Sequence, residues 1–161
     1  MSTPASARIR SAGMIDRLAR WVRGRPEGES AAAAVLRELR EEVEAVSPPR
    51  VGLLPGYAAF MKVIEEAPAL RSRLWAIGQE VQAGLEQALR EETGAADDDE
   101  LPHLMASQIG WIHSTVIAVI GREMVKGREP CEVSREVLAL LDDIEDLLGE
   151  RVLSHAVRTA A

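Results

Sequence analysis

Aromatic residues, cysteine and unbroken apolar runs are all scarce in this sequence, and each shortage closes off a class of protein. Aromatics make up 3% of the 161 residues, namely Trp21, Tyr57, Phe60, Trp75 and Trp111. With Ala, Leu, Glu and Arg dominating instead, the composition favours helices over strands, and an all-α fold of about six helices is expected. The lone cysteine, Cys131, has no partner within the chain, which excludes a disulfide-stapled secreted scaffold and suits a reducing cytoplasm. The longest apolar run is interrupted by His113, Ser114, Thr115, Arg122 and Glu123, so no transmembrane segment is expected. There is no G-x-S-x-G elbow, no glycine-rich phosphate loop and no Cys–His pairing of useful spacing, and enzyme function is not expected.

What the chain does have is charge, unevenly placed. Residues 1 to 25 hold six Arg and one Asp, a balance of +5; the rest holds 13 basic against 25 acidic residues, −12, giving the net −7. An acidic body repels phosphate backbones, so the chain by itself should bind nucleic acid poorly. The Arg-rich start has the composition of a mitochondrial presequence, and equally that of an amphipathic first helix continuous with the fold. Its length fits one domain: a flexible lead over 1 to 5, then a single helical unit over 6 to 157.

Apolar spacing sets out the helices in order. Ile9, Ala12, Ile15, Leu18, Ala19 and Val22 share one face of a first helix over 6 to 24, with arginines mostly opposite. Ser30 caps a second over 31 to 46, in which Arg37–Glu41 and Arg40–Glu44 are i,i+4 pairs. Ser47-Pro48-Pro49 ends it, and an irregular connector over 50 to 56 precedes a short helix over 57 to 66. Pro68 opens a long helix whose heptad-like stripe is Leu70, Leu74, Ile77, Val81, Leu85 and Ala88, closed by Thr93-Gly94. Asp97 to Glu100 then lie at the positive end of the next helix dipole.

That next helix, over 104 to 125, is the most apolar stretch. Met105, Ile109, Ile112, Val116 and Val119 form one row, and His113, Ile117, Ile120 and Met124 an adjacent one. Together the rows span roughly 160°, more than the ~100° that suffices for a helix lying on one core. The surplus predicts that a second copy covers part of this helix. The final helix repeats the pattern with Val133, Val137, Leu140, Leu141, Ile144, Leu147 and Leu148. The two would make a hairpin over 102 to 149 that pairs with its twofold copy as a four-helix bundle. The interface residues would be Met105, Ile109, Ile112, Val116, Val119, Val137, Leu140, Ile144 and Leu147.

Candidate chemistry is thin. Asp142-Asp143-Ile144-Glu145-Asp146 matches the letters of the DDxxD magnesium motif, but without a second metal motif it reads as the wet side of an amphipathic helix. Glu100-Leu101-Pro102-His103 has ExxH spacing, but no second ExxH accompanies it. Neither metal nor cofactor is expected. His113 is the titratable group on the apolar side of its helix; it could donate to a ligand, or simply bond a neighbour. Tyr57, Phe60, Met61, Ile64, Trp75, Gln82 and Trp111 could line a pocket with it, or could be ordinary core.

The run from Arg25-Pro26 through the Leu36–Leu39 helix, then Glu66-Ala67-Pro68-Ala69-Leu70, Trp75, Leu85, Leu89, Gly94 and Asp98, and finally the apolar hairpin, resembles the C-terminal regulatory domain of the TetR/AcrR transcriptional regulators. Within that family it is most similar to the mycofactocin-regulator-like subgroup. The resemblance implies a cytoplasmic homodimer, usually of a repressor, whose middle helices enclose a small hydrophobic effector over residues 57 to 117. Its first helix would be the connector to a DNA-reading helix-turn-helix head. That head is absent from this sequence, and DNA contact is expected only through it. A head encoded upstream of Met1 and a relative that lacks one are both open. A stand-alone helical adaptor without a pocket is the alternative.

Overall fold

A computed structural model describes residues 16 to 45 and 57 to 159, and among them the side chains of Tyr57, Ala58, Phe60, Met61 and Glu65 are left aside. The described residues form seven helices and no strand: α1 (Arg17–Gly24), α2 (Ala31–Glu44), α3 (Tyr57–Glu66), α4 (Pro68–Thr93), α5 (Leu101–Val125), α6 (Pro130–Leu147) and α7 (Glu150–Leu153). The chain is all-α, as its composition predicts. The expected start of the first helix at 6 and the connector over 50 to 56 lie outside the described residues.

Local chemistry explains most helix ends. The Ser30 hydroxyl accepts from the Ala33 N–H at 3.1 Å, satisfying a donor of the first turn of α2. Pro68, Pro102 and Pro130 sit in the first turns of α4, α5 and α6, where a missing N–H costs nothing. Gly94 ends α4 at φ +62°, a left-handed conformation that a side chain would strain.

Helix α5 is the centre of the assembly, with α2, α3, α4 and α6 all packed on it. Met105, Ala106, Ile109, Ile112, Val116, Ile120 and Met124 are buried along it, and they meet Val81, Leu85 and Leu89 of α4 and Val133, Val137, Leu141 and Ile144 of α6 in one core. Helix α4 runs antiparallel to it, in a register fixed by Gln82 donating to the Ser107 hydroxyl at 2.7 Å and by the 2.9 Å contact of His103 with Glu86. Helix α1 buries Leu18, Ala19 and Val22 and lies along α4, while α2 buries Val35, Leu36, Leu39 and Val43 between α1 and α6.

This enclosure corrects the expected subunit interface. Met105, Ile109, Ile112, Val116, Val137 and Ile144 are buried within a single copy, Ile112, Val116 and Val137 completely. Val119 and Leu140 are half-buried and pack against the same core; of the expected interface set, Leu147 alone is well exposed. The physical reason is that one chain packs four helices on α5, enough to cover the full apolar width of roughly 160° and not only the ~100° of a helix lying on one core. The outward side of α6 is polar, with Glu132, Arg135, Glu136, Asp142, Asp143 and Asp146 all exposed, and apart from Leu147 it exposes no large apolar side chain to a second copy.

A second expectation also changes. At 25 residues, α5 is long and apolar enough to cross a membrane by length and composition, despite the polar interruptions. Ten of its residues are instead buried against the other helices. Finally, Arg40 reaches Asp142 at 2.9 Å and Glu145 at 2.6 Å on α6 rather than Glu44 of its own helix, while the Arg37–Glu41 pair forms at 3.2 Å.

Because Ile112 is fully enclosed, Ile112→Ala should cost about 2–5 kcal/mol in urea unfolding. Ile112→Glu should leave the chain unfolded by circular dichroism at every concentration. A folded, monomeric Ile112→Glu would return this residue to a subunit interface.

Candidate functional site

Of the residues expected to line an effector cavity, those whose side chains are described do not converge. Trp111 points outward from α5 with 54% of its surface exposed, and Trp75 stands out from α4 at 71%. Gln82 lies in the α4–α5 seam, spent on Ser107. Ile64 is buried under α3, and the side chains of Tyr57, Phe60 and Met61 are outside the described set. His113 lies on yet another side of α5, against α1.

His113 is the chemically distinctive member. Its ring meets Trp21 edge to face with centroids 6.4 Å apart, and the Arg17 guanidinium sits 4.6 Å over the other aromatic surface. Arg17 is itself paired with Glu42 of α2. The His113 Nε2 is buried without a hydrogen-bond partner. Burial, reinforced by the charge of Arg17, pushes the imidazole down to about 4, so it is neutral at physiological pH. A neutral imidazole whose Nε2 lacks a partner is an available hydrogen-bonding group in apolar surroundings.

A cleft lies elsewhere. About 740 Å³ opens where the C-terminal tail crosses α1 and the end of α4, lined by Arg23, Ala88, Glu91, Thr93 and Ala156 to Thr159. No residue expected to bind ligand borders it.

Beneath this cleft is the residue that sequence reasoning missed. Arg25 is 1% exposed. Its guanidinium donates to the carbonyls of Val22, Glu29 and Ala156 and pairs with Glu92 at 2.9 Å. Arg158 then donates to the carbonyls of Arg23 and Arg25, and its backbone pairs both ways with Gly28 and Glu29. Gly28, at φ +81°, makes that turn. The signal was present: Gly24-Arg25-Pro26 ends a helix, where carbonyls of the last turn lack donors.

A charged knot closes the other end of α5. Glu123, 8% exposed, is held by Lys126 at 2.8 Å and Arg122 at 3.1 Å, and these contacts pull its carboxyl down to about 2. Among the described residues no group of three His, Cys, Asp or Glu side chains could hold a metal ion. The DDxxD-like acids are partly engaged, Asp142 and Glu145 by Arg40. Comparison with protein-family models, curated proteins and solved structures returns no match.

The neutral His113 has a measurable consequence. In the unfolded chain it takes up a proton near its ordinary 6.5, and in the folded chain only near about 4. Its contribution is therefore intact above the higher value and is lost as pH falls toward the lower one, by roughly 2 kcal/mol at pH 5. Glu123 adds to acid loss only below its ordinary 4.5, so the interval from pH 7 to 5 isolates histidine. His113→Phe, which keeps the ring contact, should reduce the fall in unfolding free energy over that interval, leaving the part that comes from His155, whose imidazole burial also holds below its ordinary value. An unchanged pH dependence would show that His113 is protonated as readily folded as unfolded.

Proposed function

We propose that the chain is the regulatory domain of a TetR-like transcription regulator, of repressor type and working in the cytoplasm: a self-associating helical module that couples a small hydrophobic effector to a separate DNA-reading head. The observation that carries the reading is the order and length of the elements. A ten-residue α3, a 26-residue α4 opened by Pro68 and closed by Gly94, an acidic turn, a 25-residue apolar α5 and then α6 follow one another in the order in which the resembling segments occur along the sequence. DNA contact belongs to a helix-turn-helix head outside this sequence, since a net charge of −7 disfavours phosphate binding. No catalytic role is proposed.

A second reading, a helical adaptor without a small-molecule pocket, draws on a specific observation: Trp75, Gln82, Trp111 and His113 face different ways. On the first reading an effector would have to part α3 from α4 and α5. On the second, binding energy comes from an exposed helix face alone.

Thermal unfolding with fatty-acyl and planar aromatic compounds separates them. A compound present at about 100 times its Kd stabilises by roughly 2.7 kcal/mol, which raises Tm by roughly 5–10 °C for a domain of this size. The regulatory reading expects such a compound; a broad panel with no stabiliser favours the adaptor.

A further inference from the structure

Among the described residues, two buried side-chain nitrogens lack a hydrogen-bond partner, and both are histidine Nε2 atoms, of His113 and His155. Each lies in a contact that holds the corner between α1 and α2 to the rest of the fold. His113 reaches from α5 to the Trp21 ring of α1, over which Arg17 sits, paired with Glu42 of α2. His155 belongs to the C-terminal tail. Its carbonyl accepts from the N–H of Ala31, the first residue of α2, at 3.4 Å; Gly28 donates to the Arg158 carbonyl at 2.9 Å, and the Arg158 N–H donates to the Glu29 carbonyl at 3.0 Å. Between them Ala156 stands at φ +50°, left-handed backbone that an alanine keeps only when its surroundings hold it there, and its carbonyl accepts from the buried Arg25. The corner is clasped from two sides, and each clasp contains an imidazole with an unmet nitrogen. The third histidine, His103, is exposed and faces the Glu86 carboxylate at 2.9 Å, so the α4–α5 seam has no such weakness.

We propose that these two imidazoles make the α1–α2 corner acid-releasable: protonation of His113 frees α1 from α5, and protonation of His155 frees the tail from the α1–α2 turn, while α4, α5 and α6 stay folded together. An imidazolium donates from both ring nitrogens, and a buried charged donor without an acceptor costs far more than a buried neutral ring. The surroundings decide where the proton is tolerated. The charge that bears on His113 is Arg17, of the same sign as an imidazolium; Arg20 adds to it, and the acids behind it, Glu38 and Glu42 of α2, act on Arg17 and are not bonded to the imidazole. Asp99 of the α4–α5 turn bears on His155 and eases its protonation, but burial outweighs that help. Both rings therefore take up a proton more readily once their clasp is open. With protonation near 6.5 in the open form and about 4 in the closed one, the population in which α1 stands off α5 rises roughly 25-fold between pH 7.5 and pH 5. The Glu123 knot at the far end of α5, held to about 2, keeps its charge throughout. The release is a property of the fold, whatever the chain regulates.

The test is residue-resolved hydrogen–deuterium exchange of the full chain at pH 7.5 and pH 5, with each rate corrected for the intrinsic pH dependence of amide exchange. The amides of α1 from Arg20 to Gly24 should lose protection by roughly 25-fold. Those of Gly28, Ala31 and Arg158, which tie the tail to the turn, should lose protection as well. Met105 to Ile120 of α5 should remain the slowest amides, and far-UV circular dichroism should not change. His113→Phe should remove the loss in α1 and leave the tail responding, and His155→Gln should do the reverse; His113→Gln replaces the first variant if it folds poorly. Protection of α1 that is the same at both pH values overturns the proposal. So does a loss shared equally by α1 and α5, which is global acid unfolding, and so does a loss that persists unchanged when both histidines are replaced.

Discussion

The structure depends on the enclosure of one apolar helix by the rest of its own chain. Seven buried side chains along α5, from Met105 to Met124, have no other place to go. At roughly 1.5–3 kcal/mol for each large one, their burial is the dominant reason for the fold to close. Helices α2, α3, α4 and α6 are positioned by that requirement, and α1 and α7 by the helices that meet it. The enclosure also has an economy to it. A buried stripe of roughly 160° leaves the opposite side of α5 to water, and that side carries no charged residue from Leu104 to Gly121.

A smaller set of polar contacts holds the periphery. Buried charge is tolerated only when paired and hydrogen-bonded, and Arg25 meets the condition by tying the end of α1, the α1–α2 turn, the end of α4 and the C-terminal tail to one guanidinium. The Ser134 hydroxyl donates to the Val43 carbonyl at 2.7 Å, fastening α6 to the C-terminal end of α2. Arg40 adds the outer seam of the same pair. These contacts specify which helix sits against which, where apolar packing alone is permissive.

Helix positions were legible in the sequence because their signals are local: a serine cap at 30, prolines at 68, 102 and 130, a glycine end at 94. The subunit interface was not. Apolar spacing measures how wide a greasy stripe is, but not how many neighbours one chain can bring to it, and Ile112 and Val116 read the same whether covered by α4 and α6 or by another copy. The described members of the candidate site are dispersed for a related reason. Trp75, Gln82, Trp111 and His113 are each plausible pocket residues by type, yet at angles around their helices that send them to the solvent, the seam, the solvent again and α1. Arg25 was hidden by composition, one arginine among six in an Arg-rich start.

If a single copy encloses α5, its protection cannot depend on a partner. Hydrogen–deuterium exchange of the amides from Met105 to Ile120, followed through a wide dilution series, tests this most directly. The account predicts that these amides stay the slowest in the protein at every dilution, exchanging only with global unfolding. Protection that fades as the chains separate would contradict it, and would mean that α5 needs its twin to stay buried.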